Sequence, residues 1–143
     1  MTKKILSTLV FSVFAFGASA QAATITLVCN KGDTLKAGLP MLSIQMNSKT
    51  KEVKSLVISS DDTNKATLTN KNGLSGSFVE NESSAKVSVS LGRSGAAELN
   101  VTQTDNTRLY YKGTFKNNFF LNPAIMNAWK GTVKVFCGIM NSK

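Results

Sequence analysis

Two cysteines, Cys29 and Cys137, and a run of unopposed cations after residue 105 are the chemically most suggestive side chains of this 143-residue sequence, which contains no histidine. Without histidine, a Ser-His-Asp or Cys-His nucleophile, a His-ligated zinc or copper centre and a His-bound haem are all excluded. The cysteines lie near opposite ends and show no Cys-x-x-Cys spacing. In a small exported domain that pattern predicts a disulfide, and not a metal or redox site. Closing so long a loop destabilises the unfolded chain by up to about 5 kcal/mol. It also requires the first and last strands to come within bonding reach.

The carboxylates offer no comparable signal. Asp33, Glu52, Asp61, Asp62, Glu80, Glu82, Glu98 and Asp105 fall mostly in turn-like stretches, where aspartate in particular serves backbone hydrogen bonding. None forms an evident acid and base pair of the kind a glycosidase needs. Asp61-Asp62-Thr63-Asn64 supplies oxygen ligands but lacks the glycine and distal glutamate of an EF-hand loop. No glycine-rich phosphate loop is present. The expectation is a chain with no catalytic residue, no metal and no cofactor; an envelope-sugar hydrolase ranks third among the readings.

The cations are distributed asymmetrically. Arg108, Lys112, Lys116, Lys130, Lys134 and Lys143 follow the last acidic residue, Asp105, so nearly all the surplus positive charge is C-terminal. Strand parity places Leu109, Tyr111 and Phe115 inward, with Arg108, Tyr110, Lys112 and Lys116 outward. On the last strand Val133, Val135, Cys137 and Ile139 face in, leaving Lys130, Lys134 and Phe136 outside. If the two strands pair, Arg108, Tyr110, Lys112, Lys116, Lys130, Lys134 and Phe136 share one face suited to an anionic polymer or an acidic protein surface. The competing reading is a solvated face whose lysines prevent edge association.

Those side chains must be positioned by β-structure. Ala85, Val87, Val89 and Leu91 alternate with polar residues, as do Ala97, Leu99 and Val101, and similar runs surround Ile25, Leu42, Val53, Ala66, Phe78, Leu109 and Val133. Turn residues interrupt them about every 10 to 14 residues, which predicts an antiparallel meander of about eight or nine strands. A small closed barrel is favoured, with a β-sandwich as the alternative. One segment breaks the rhythm: Asn122 can cap, Pro123 suits a first helical position and Gly131 an exit, predicting a short helix before the last strand. Phe119, Phe120, Leu121, Ile125, Met126 and Trp129 within this connection read as a plug for the β core, or as an apolar contact site for a ligand, membrane or protein. Gly73 and Gly76 read as turn residues, Gly113 and Gly131 as sites of bending or close packing.

Lys3 and Lys4, the apolar run Ile5 to Phe16, Gly17 and Ala18-Ser19-Ala20 have the order of a secretory signal peptide. Residues 1–20 are therefore read as a leader, and 21–143 as one all-β domain without a membrane span, periplasmic or secreted. The functional expectation is an exported, non-enzymatic binding or inhibitor domain. Its partner would be lipopolysaccharide, acidic polysaccharide, extracellular DNA or an acidic protein. The alternative is a carrier of a small apolar ligand beneath an aromatic lid.

Overall fold

The computed structural model describes residues 24–32, 40–104 and 110–142; residues 1–20, read from the sequence as a leader, and Arg108 and Leu109 lie outside these. Among the described residues the alternation builds nine strands. They are β1 (Thr24–Lys31), β2 (Met41–Asn47), β3 (Val53–Ser59), β4 (Lys65–Thr69), β5 (Ser75–Glu80), β6 (Ser84–Ser90), β7 (Ala96–Gln103), β8 (Tyr110–Asn117) and β9 (Gly131–Ser142). A short helix, α1 (Pro123–Trp129), precedes β9. On β6, Ala85, Val87 and Val89 are buried while Lys86 is exposed, and the other strands largely follow the same rule, with buried Asn30, Ser59 and Asn117 and exposed Val79 as departures. Apolar residues inside and polar ones outside are the reverse of a barrel that faces lipid. No described helix is long and apolar enough to cross a membrane.

The strands form one sheet in the order β4-β3-β2-β1-β9-β8-β7-β6-β5, nearly closed into a barrel. A sandwich is not adopted, because β1 pairs with both β2 and β9 and joins the two halves of the meander. Nine is an awkward number for an antiparallel ring, which needs an even count. The register resolves this: eight antiparallel steps separate β4 from β5, so the two run in the same sense and act as one interrupted course. A 3₁₀ turn at Asn70–Asn72 interrupts it, with Gly73 in the left-handed region (φ 88°) at its end. Closure is made by β5 against the start of β3, through the Glu52↔Ser77 bridge and Phe78 N–H donating to Lys51 O at 2.9 Å.

Cys29 and Cys137 are directly opposite each other on β1 and β9, bonded and buried within the core. The expected meeting of first and last strands is thus a pairing along one sheet. Gly113 makes a close approach between strands possible, since a Cβ there would lie 1.8 Å from Asn100 O. Gly76 is not the turn residue expected from its polar surroundings. It lies within β5, where a Cβ would lie 2.5 Å from Ser88 O, so close strand contact, and not turn flexibility, demands the glycine.

The helix closes one end of the barrel. Asn122 Oδ1 accepts from Ala124 N–H at 2.9 Å and Pro123 occupies the first turn, as the sequence predicted. Trp129, 0% exposed, meets Phe115 edge to face at 5.8 Å. Its Nε1–H donates to Ser59 O at 2.9 Å, tying the helix to the end of β3. Asn117 on β8 donates through Nδ2 to the Trp129 carbonyl. Burial of a large ring with its polar atom satisfied gives this end both hydrophobic and hydrogen-bonded anchorage.

Candidate anionic-partner face

β8 and β9 pair over eight positions, from Tyr110↔Gly138 to Asn117↔Gly131, and this register decides which side chains share the outer face. Tyr111, Phe115, Val133, Val135 and Cys137 are buried inside. Tyr110, Lys112, Lys116, Lys134 and Phe136 therefore lie outside on adjacent strands. Lys112 is directly opposite Phe136, and its Nζ sits 5.9 Å from the ring centroid, a cation–π distance. Tyr110 is opposite Gly138, where the missing side chain leaves room for the tyrosine to lean; its ring centroid is 5.9 Å from that of Phe136, tilted by 34°.

The three lysines form a zigzag. Lys134 is opposite Thr114, which places it diagonally from both Lys112 and Lys116, at steps of about 7–8 Å. The neighbouring strand β7 presents Thr102 opposite Lys112, Asn100 opposite Thr114 and Glu98 opposite Lys116. Lys112 and Lys134 thus have hydroxyls, an aromatic ring or backbone as cross-strand neighbours, whereas Lys116 has a carboxylate. Glu98 also bonds Lys86 Nζ at 3.1 Å and accepts from Asn100 Nδ2 at 3.0 Å. The Asn100 bond first, then Lys86, with a smaller Coulombic contribution from Lys116, holds the Glu98 carboxyl below its usual range. Among the described residues, Glu98 thus offsets Lys116, while Lys112 and Lys134 have no carboxylate directly opposite them.

Lys130 is exposed but caps the C-terminal end of α1, one residue before β9, so it stands at the barrel end beyond the paired rungs. Arg108 lies outside the described residues. The apolar set divides as well: Phe119, Ile125 and Trp129 are buried in the core, Met126 is half-buried, and Phe120 is 79% exposed. Parity in the sequence had already put Lys86 and Glu98 outward on their own strands. Only the β7–β8 pairing shows that Glu98 tempers the basic face.

Asp61, away from this face, serves local structure. Asp61 Oδ1 accepts from Thr63 N–H, Thr63 Oγ1, Asn64 N–H and Asn64 Nδ2 at 2.8–3.1 Å. These bonds, led by the Asn64 side chain and then that of Thr63, hold its carboxyl down at about 2. Among the described residues no three His, Cys, Asp or Glu side chains cluster to hold a metal ion. No protein-family model, curated protein or solved structure matches the chain.

Proposed function

We propose that the protein is an exported, non-enzymatic binding domain that holds an anionic envelope or extracellular partner against the outer face of β8 and β9. The observation that carries this reading is the zigzag of Lys112, Lys134 and Lys116 beside the Tyr110–Phe136 ring pair. Exposed cations are individually weak and screened by salt, so binding needs several to engage at once. A partner with repeated negative charge can meet them together, while the two rings add contact that salt screens less. A buried disulfide is consistent with an oxidising compartment. An interior apolar ligand is less well supported, because Trp129 and Phe115 already occupy the barrel core and Trp129 is bonded to Ser59.

The test is retention of the oxidised protein on immobilised lipopolysaccharide, acidic polysaccharide and DNA across a salt series, beside a plain sulfonate matrix. Tighter retention on one ligand than on the sulfonate, lost in a Lys112→Glu, Lys134→Glu variant, is the expected result. Unchanged retention in that variant would sink the assignment. The salt slope on the selected ligand should fall with each cation removed.

A further inference from the structure

We propose that the capped end of the barrel is an interfacial contact for an anionic lipid surface, with Phe120 as the side chain that enters it. This goes beyond the reading above, with which it shares Lys116. The β7–β8 ladder does not stop at Asn117. Asn118 N–H donates to Ala96 O at 3.0 Å and Phe120 N–H to Ser94 O at 2.9 Å, continuing the same register for two more rungs. Parity along this extension sends Phe119 into the core and Phe120 outward, on the side that carries Lys112 and Lys116. A large ring is therefore held in water by backbone bonds on one side and a buried neighbour on the other. It cannot fold back onto the barrel without breaking them.

The residues after it repeat the division. Ile125 and Trp129 fill the barrel, Leu121 and Met126 are partly buried against that core with an edge left in solvent, and Pro123 and Ala124 are exposed. This apolar outer surface is bordered by cations. Arg93 adjoins Ser94, the acceptor for Phe120; Lys116 lies on the same strand; Lys130 ends the helix; all three are exposed. Among the described residues, the carboxylates on this side are Glu98, opposite Lys116, and Asp61 and Asp62 in the β3–β4 turn, where Asp61 is committed to the turn's own hydrogen bonds. Apolar side chains ringed by Lys and Arg match a membrane interface bearing negative headgroups, where rings partition and cations gain from the surface potential. A soluble polyanion would reward the cations but gains little from Leu121, Pro123 or Met126.

The experiment is co-sedimentation of the oxidised protein with phosphatidylcholine vesicles, with and without phosphatidylglycerol. All variants keep the same N-terminus, so differences between them report on the barrel. The expected result is partition onto the anionic vesicles, reduced about tenfold or more by Phe120→Ser. Arg93→Glu with Lys130→Glu should reduce it as well. In Phe120→Trp the introduced indole should be quenched by brominated lipid, whereas Trp129, buried in the core, should not. Equal partition of Phe120→Ser and the unaltered protein, or an unquenched indole, would overturn the proposal. Binding of soluble dextran sulfate separates the two ideas: its dependence on Lys112 and Lys134 tests the basic face and is indifferent to Phe120.

Discussion

The ring is closed in two places, and they are built very differently. At β1–β9 eight register pairs and the Cys29–Cys137 disulfide join the ends of the meander. At β5–β3 the described closure is the single Glu52↔Ser77 bridge, to which the Phe78–Lys51 backbone bond belongs, next to the 3₁₀ interruption between β4 and β5. The basic face sits beside the first closure, on β8 and β9, where strand positions are best determined. A site made of separate lysines and rings needs a stiff sheet to keep them at fixed spacing. The weaker closure lies on the other side of the barrel, away from that requirement.

The largest effect expected from breaking this contrast comes from the strong closure. Replacing both cysteines, as Cys29→Ala with Cys137→Ala, should lower unfolding free energy by about 4–5 kcal/mol, read from denaturant midpoints. A loss below about 1 kcal/mol would mean that the paired strands alone hold the ring. Trp129→Ala should cost about 3–5 kcal/mol, since it empties the plugged end and leaves Ser59 O without its donor. Because that bond reaches β3, amide exchange should accelerate more in β3 and β4 than in β9; uniform acceleration would argue against a weak side. Gly76→Ala, which drives a Cβ toward Ser88 O and Val53 at the seam, should cost about 1–3 kcal/mol by thermal unfolding. If it is neutral, the seam has room to spread.

The smallest effect concerns the β3–β4 turn on the weak side. With the Asp61 carboxyl depressed to about 2, its contribution to stability is present above the unfolded value near 3.9 and disappears as pH falls through about 2. Carboxyl NMR should place its midpoint near 2. A midpoint close to 3.9 would show that the turn's hydrogen bonds do not persist in solution.

Much of this architecture was legible in the residues. The inward set of β6, β7 and β9, the disulfide, the helix caps at Asn122 and Pro123 and the outward placement of Lys112, Lys116 and Lys134 all follow from period-two alternation or capping chemistry. Phe119 and Phe120 were not separable, because two adjacent aromatics in a connection have no parity until the ladder is seen to extend through them. Gly76 was misjudged for a related reason: its polar neighbours resemble a turn, and only Ser88 O across the strand gap reveals the contact. Glu98 was visible as outward, but not as the partner that tempers Lys116.

By itself, then, the sequence determined what is local: which residues alternate, where the chain turns, where a helix starts, and that two cysteines in a histidine-free chain are available to bond. Tertiary structure alone decided that β4 and β5 run in one sense and count as a single course, that the ring is strong at β1–β9 and slight at β5–β3, and that one aromatic connection both plugs the barrel and presents Phe120 to solvent. Alternation and capping act over a few residues and leave their mark in the residues themselves. Register between strands as distant as β1 and β9 is set by closing the whole ring, a constraint that no single segment carries.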